Sequence, residues 1–277
     1  MTKIYVFPGQ GSQSTGMGAN LFDRYPKLTA QASDLLGYDI QALCLQNPDN
    51  ALNQTNFTQP ALYVVNAFTY LQQLEEHGQA DYLAGHSLGE YSALMAANVF
   101  DFITGLQLVK KRGELMQQVT NGGMAAVVGI NSAIIIEEMH GVENLDIANY
   151  NSPTQTVISG NKEAITNITA KLEQRGARVI PLKVSGAFHS RFMGKIAAEF
   201  GEFLNSFNFN EPKMPVIANI NAQPYAPGSV PVNLTMQIDH SVQWVKTVQF
   251  LMKQADPTFT EIGPGKVLSG LIRQMRN

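Results

Sequence analysis

The sequence predicts a mixed α/β fold with a second, smaller unit inserted into it, and three observations carry that prediction. A short β-rich run, 3–7, stops at Pro8-Gly9, as a buried strand does before a turn. A second strand, 81–85, runs into "GHSLGE" and then an alanine-rich helix, 90–99, the strand–turn–helix order of a nucleophile elbow. After Gly122-Gly123 the rhythm changes to strand, helix, strand, strand, helix, strand over 124–130, 132–140, 145–151, 156–160, 161–176 and 177–185. That is the split β-α-β order of a ferredoxin-like subdomain.

The other elements follow in order. Between the first two strands, 60–78 places Ala61, Val64, Val65, Phe68 and Leu71 at helical spacing, with Gly78 where a C-terminal cap belongs. The stretch 101–119 is a second helix after the elbow, with Ile103, Leu106, Val109, Leu115, Met116 and Val119 on it. Beyond the insert a helix is expected near 190–207, a strand at 214–220, a strand and turn at 259–265, and a final helix. The expected division is a discontinuous main domain, 1–123 and 187–277, with the subdomain at 124–186.

A chain of 277 residues, 44% of them hydrophobic, is long enough for one large domain with an insert. Only 15% are charged, below the usual ~25%, which implies a polar but weakly charged surface. A net charge of −3 and a pI near 6.0 argue against a dedicated nucleic-acid binder, whose phosphate contacts need clustered Lys and Arg. Cys44 is the one cysteine, so no internal disulfide and no thiol metal cluster is possible; a small buried apolar role is expected for it. No charged leader precedes a long apolar segment, and no apolar run approaches ~18 residues. A cytoplasmic, monomeric protein without membrane contact is the expectation.

Two glycine patterns lack the residues that phosphate binding requires. "GQGSQS" ends in Ser14 where a dinucleotide loop has glycine or alanine, and in "GPGKVLS" the lysine precedes Val267 rather than Ser or Thr. The histidines His77, His86, His140, His189 and His240 show no i,i+4 pair on an evident helix, so no catalytic metal is expected.

Nucleophilic catalysis remains. A serine hydroxyl needs a base within hydrogen-bond reach, and an elbow lifts Ser87 into the open at a helix N-terminus. There the Leu88 N–H can stabilise an oxyanion, with a second N–H from "FPGQGSQ" after the first strand. His86 adjoins the serine, but consecutive elbow residues point apart. His189 in "VSGAFHSRFM" follows a small-residue turn that can present it to a cleft, although a lone histidine is most often structural. Arg112 lies on the second helix after the elbow. It is either a carboxylate clamp or a solvated charge beside Lys110 and Lys111, and pattern alone favours the second.

Taken together, "FPGQGSQ", "TQPAL", "GHSLGEYSAL", "KRGELMQ", "NYNSPTQTVISG", "GAFHSRFM", "SVQW" and "EIGPGKVLSGL" occur in one order along nearly the whole chain. In this the sequence resembles the malonyl-CoA:acyl carrier protein transacylase family of fatty-acid and polyketide synthesis. The resemblance implies an α/β-hydrolase-like core with an inserted ferredoxin-like subdomain. It implies Ser87 as nucleophile, His189 as base, Arg112 as holder of the malonyl carboxylate, and the amides of Gln10 and Leu88 as the oxyanion hole. It further implies that the main-chain carbonyl of Gln237 orients the histidine, and that Gln59 and Asn151 line the pocket. The Phe-His pair of "GAFH" accompanies malonyl in that family, and Phe188 would fill the space an α-methyl group needs.

The implied reaction is a ping-pong transfer from malonyl-CoA to the phosphopantetheine thiol of an acyl carrier protein, through a malonyl-serine ester and without metal or redox cofactor. The short C-terminus and "GAFHSRFM" resemble free-standing polyketide acyltransferases that serve carriers in trans. An editing acyl hydrolase of the same fold and a non-catalytic docking protein are the rivals; Arg112 speaks against the first and the Ser87/His189 pair against the second. Carriers are acidic, so a basic docking patch is expected, with Lys171, Arg175 and Arg178 as candidates.

Overall fold

The computed structural model describes residues 1–276, which form two sheets with helices around them. In chain order the first elements are β1 (Thr2–Phe7), α1 (Pro26–Leu36), α2 (Ile40–Gln46), α3 (Thr55–His77), β2 (Tyr82–Gly85), α4 (Gly89–Ala96) and α5 (Phe102–Gln117). Next come β3 (Gly123–Val128), α6 (Ser132–Met139), β4 (Leu145–Ser152), β5 (Gln155–Gly160), α7 (Lys162–Gln174) and β6 (Arg178–Pro181). The chain closes with α8 (Gly194–Leu204), β7 (Val216–Ile217), α9 (Val230–Gln237), α10 (Trp244–Met252), β8 (Pro257–Glu261) and α11 (Val267–Arg276).

The first sheet has the order β7-β2-β1-β8, with every pair parallel. Such a sheet is covered on both faces, so β1 is buried from Ile4 to Phe7. The two-residue period divides those side chains between two cores. Tyr5 and Phe7 enter the large core that takes in Leu62, Tyr91 and Leu106, whereas Ile4 and Val6 meet Val242, Trp244, Val248 and Leu268.

The helix after the elbow, α4, is buried along its whole length. Two glycines make that approach possible. A Cβ on Gly89 would lie 2.0 Å from the Phe7 carbonyl oxygen, and one on Gly85 would lie 1.9 Å from the Gly89 carbonyl carbon. Both obstacles are backbone, so neither can turn aside. Gly89→Ala is therefore expected to cost on the order of 3 kcal/mol or more, read as a lowered Tm in thermal melts. A parental Tm would contradict this packing.

The second sheet has the order β4-β5-β3-β6, antiparallel throughout, with α6 and α7 packed on it. Ala125, Val127, Ile158, Ile165, Ile168 and Leu172 form its own core. It meets the main body along β4, where the Tyr150 N–H donates to the Val242 carbonyl and the Val242 N–H to that of Ala148.

Several elements differ from the sequence expectation. α3 starts at Thr55, not at residue 60, although Pro60 sits inside the helix without an N–H to give. Tertiary contacts hold the extra turn. The Gln117 side chain accepts from the Thr55 N–H at 2.8 Å, and the bare Gly113 lets α5 approach until a Cβ there would stand 3.1 Å from the Asn56 Cα. β6 ends at Pro181; Leu182, whose N–H still donates to the Met124 carbonyl of β3, and Val184 beyond it line a cavity. β7 keeps only two residues, because Asn219 is drawn away to the elbow. α8 begins at Gly194 after a 3₁₀ turn. Cys44 is fully buried and free, with its thiol pushed up to about 12 by that burial. Among the described residues no helix is long and apolar enough to cross a membrane.

Candidate active site

Ser87 stands between β2 and α4 with φ 51°, in the left-handed region that side chains rarely adopt. Such a conformation costs about 1–3 kcal/mol and persists only where the surroundings enforce it. Here side chains grip both ends of the residue. Its N–H donates to Asn219 Oδ1 at 2.7 Å, and its carbonyl accepts from Gln237 Nε2 at 2.8 Å. Asn219 Nδ2 in turn donates to the Gly85 carbonyl at 2.6 Å.

His189 Nε2 lies 2.8 Å from Ser87 Oγ, and its Nδ1 lies 2.8 Å from the Gln237 main-chain oxygen. A carbonyl only accepts, so Nδ1 carries the proton and Nε2 is left to accept from the serine hydroxyl. Burial, with the Arg112 charge nearby, pushes the imidazole pKa down to about 3. The ring is thus neutral at neutral pH, with the Nε2 lone pair free to accept.

Arg112 is 1% exposed, and the helix α5 aims it back over the elbow. Nη1 donates to Gln59 Oε1 at 2.7 Å; Nη2 donates to Ser87 Oγ at 3.1 Å and to Gln237 Oε1 at 3.0 Å. The Tyr91 ring lies 5.5 Å away. Among the described residues its Nε has no hydrogen-bond partner, and no carboxylate stands within ion-pair distance of it. Lys110 donates to the Leu35 carbonyl and Lys111 pairs with Glu199, so the three adjacent cations serve different ends.

The loop after β1 reaches the elbow because Gly9 has no side chain. A Cβ there would stand 2.3 Å from the His86 carbonyl oxygen and 3.5 Å from the Leu88 nitrogen. Asn66 holds this loop by donating to the Pro8 carbonyl at 3.0 Å. Among the described residues neither the Gln10 nor the Leu88 amide donates to a protein acceptor. The Leu88 amide sits at the positive end of α4.

A cavity of about 80 Å³ lies over Ser87, lined by Gln10, Gln59, Met116, Met124, Phe188 and His189 among others. A wider groove of about 670 Å³ opens on the other side of His189, past Arg191 and His240. Asn151 does not line the small cavity; Asn149 does. Asn151 instead bonds His86 Nε2 at 2.8 Å, and His86 meets the Trp244 edge, so this histidine is tied up behind the elbow. On the subdomain, Arg175 is engaged by Glu137 and Glu138, which leaves it a poor docking cation.

Sequence reasoning missed Glu90, Asn219 and Tyr225. Glu90 is buried beside the nucleophile and accepts from the Tyr225 hydroxyl, the Asn219 amide and Gln237 Nε2. Its signal was available: it is the one acid in "GEYSALMA", a helix otherwise free of charge. Met116, Met124 and Asn149 carry no local signal for the cavity they line.

Residues 4–275 match the acyl transferase domain family. A polyketide biosynthesis malonyl CoA-acyl carrier protein transacylase of Bacillus subtilis, PksC, is 53% identical over 278 residues, which cover 98% of this chain and 96% of that protein. The crystal structure of a malonyl CoA-acyl carrier protein transacylase from Burkholderia pseudomallei matches with a TM-score of 0.97 at 46% identity, covering 100% of this chain and 98% of that one. A further solved structure, a type II polyketide synthase acyl-carrier protein in complex with its malonyl-transacylase, matches at TM-score 0.94 and 37% identity, covering 99% and 93%.

Proposed function

The chain belongs to the acyl transferase domain family, and we infer from that premise that it moves a malonyl group from malonyl-CoA to the phosphopantetheine thiol of an acyl carrier protein. One observation carries the reading: a buried guanidinium whose Nε has no partner, and which among the described residues has no carboxylate within ion-pair distance, stands 3.1 Å from the candidate nucleophile. A buried cation in that state calls for an anion from outside, and the acyl carboxylate supplies it.

Malonyl-CoA brings its carboxylate to Arg112, whose planar fork takes it in two parallel hydrogen bonds and gives up Ser87 Oγ. His189 Nε2 takes the hydroxyl proton as Oγ attacks the thioester carbonyl. The resulting oxyanion is held by the Gln10 and Leu88 amides, and the Gln237 carbonyl steadies the imidazolium through Nδ1–H. CoA leaves with the proton, and a malonyl-serine ester remains. The carrier thiol repeats the sequence in reverse. Each step is carried by the chain's own groups.

The name of the Bacillus relative favours a polyketide carrier; service in trans rests on the resemblance to free-standing polyketide acyltransferases. The strand order of the second sheet supports a ferredoxin-like subdomain at 124–186, and the parallel sheet with its elbow supports an α/β-hydrolase-like core at 1–123 and 187–277. The test is a supply of malonyl-CoA with holo or apo carrier. Holo carrier is expected to gain malonyl and apo carrier to stay unmodified. Free malonate with no carrier product would favour the hydrolase.

Phe188 is buried against the cavity. Replacing it by serine opens room for an α-methyl group, and one methyl is worth ~1–3 kcal/mol in a packed pocket. Phe188→Ser is expected to raise methylmalonyl loading relative to malonyl by about tenfold or more, measured by competition between the two CoA esters. An unchanged ratio would remove Phe188 from selectivity.

A further inference from the structure

The Glu90 carboxyl lies in the first turn of α4 and faces donors from two other segments. Oε1 accepts from the Tyr225 hydroxyl at 2.7 Å and the Asn219 N–H at 3.0 Å, and Oε2 accepts from Gln237 Nε2 at 2.5 Å. Gln237 is saturated on every side. Its Nε2 also donates to the Ser87 carbonyl, its Oε1 accepts from Arg112, and its main-chain oxygen accepts from His189. Among the described residues the carboxyl accepts from three groups, of which only the Tyr225 hydroxyl could accept in return, a pattern that suits the ionised form.

We propose that Glu90 is a positioning residue for acyl selection: as a carboxylate it fixes which way the Gln237 amide points, and so keeps an oxygen rather than an NH₂ group against Arg112. The chain runs from Arg112 N–H to Gln237 Oε1, and from Gln237 N–H to Glu90. If the carboxyl gains a proton, or becomes an amide, it presents a donor to Gln237 Nε2. Gln237 then turns over, its NH₂ group meets the guanidinium, and its bond to the Ser87 carbonyl is lost. Arg112 can no longer hold its approach to the acyl carboxylate, whereas an uncharged acyl group does not use it. This rests on the reading of Arg112 as the carboxylate clamp.

The titratable and charged groups facing Glu90 are Tyr91 from its own helix, Arg112 from α5 and Tyr225 from the segment after β7; among the described residues α9 presents the uncharged Gln237 amide. Burial raises the carboxyl to about 7 against the pull of its donors and of Arg112. His189, pushed down to about 3, does not titrate in that range. Malonyl loading is therefore expected to fall as pH drops through 7, and acetyl loading to fall less, since it loses the Gln237 hold on the Ser87 carbonyl but not the clamp.

The experiment is quench-flow measurement of acyl-enzyme formation from malonyl-CoA and acetyl-CoA between about pH 5.5 and 9, on the parent, Glu90→Gln and Tyr225→Phe. Losing a buried hydrogen bond to a charged group is worth about 10- to 100-fold. Glu90→Gln is expected to lose that much in malonyl loading, to lose less in acetyl loading, where only the weakened hold on the Ser87 carbonyl is felt, and to show no malonyl-specific limb near 7. Tyr225→Phe removes one donor from the carboxylate and is expected to shift the limb to higher pH, which tests the proposal even if Glu90→Gln fails to fold. Equal losses for both acyl groups, or a limb in the parent that Tyr225→Phe leaves unmoved, would overturn it. Arg112→Ala run alongside separates the two readings: if it leaves malonyl preference intact, the clamp itself fails, and if only the Glu90 results fail, the clamp stands.

Discussion

Ser87→Ala is expected to abolish covalent capture of the acyl group and to lower malonyl transfer by on the order of 10⁴-fold or more. The backbone around the elbow should survive the change, because Ser87 is gripped through its N–H and carbonyl by Asn219 and Gln237 and not through its hydroxyl. What disappears is the Oγ that His189 Nε2 reaches at 2.8 Å. No neighbour replaces it: His86 is bonded to Asn151. Steady-state transfer to holo carrier, set beside a thermal melt showing a folded protein, makes the measurement. A folded variant that retains more than about one per cent of parental transfer would contradict a serine nucleophile.

The second large effect concerns acyl choice. Arg112→Ala is expected to lower malonyl loading by about 10²- to 10³-fold, since it leaves the acyl carboxylate buried and unpaired. Acetyl loading should rise relative to malonyl, because the site then lacks the charge that demands an anion. Arg112→Lys should rescue little. An ammonium cannot reproduce a fork that now spans Gln59, Gln237 and Ser87. Competition between malonyl-CoA and acetyl-CoA, read as the ratio of the two acyl-enzymes, decides the matter. An unchanged ratio would contradict the clamp.

Both residues could be proposed from the sequence, and the reasons differ. Ser87 is legible because an elbow is local: a strand, two close-approach glycines and a helix fall within about sixteen residues, and each has its own steric cause. Phe7 and the elbow glycines read correctly for the same reason, since a buried parallel strand and bare backbone contacts leave a compositional trace. Arg112 was less legible, because its neighbours Lys110 and Lys111 make a solvated run the ordinary reading; only tertiary packing turns one of the three inward. Asn219, Tyr225 and Gln237 were hardest. Each acts on the elbow from more than a hundred residues away, and no periodicity or spacing encodes such a contact. Glu90 failed differently. Its burial was implied by the apolar helix around it, but its partners were not.

Helix boundaries show the same division. α7 runs close to its expected span, and the expected final helix is present as α11, because amphipathic periodicity is a property of the segment itself. α3 gains a turn ahead of Pro60 because Gly113 and Gln117 of α5 support it, which overrides the usual meaning of a proline. α1, α2, α9 and α10 lie in stretches where the sequence reading assigned no element. In α9 buried and exposed apolar residues are mixed, with Val232 on the surface and Leu234 inside, so the segment carries no clean stripe.

The central claim is that Ser87 holds malonyl between two thiols. It is tested most directly by intact-protein mass measurement after mixing the enzyme with malonyl-CoA, followed by addition of holo carrier protein. The expected result is a single malonyl adduct, mapped to Ser87 and absent from Ser87→Ala, that persists without carrier and passes to the carrier thiol when it is supplied. Malonylated carrier forming with no adduct on Ser87 at any time, or an adduct that decays to free malonate and never reaches the carrier, would contradict it.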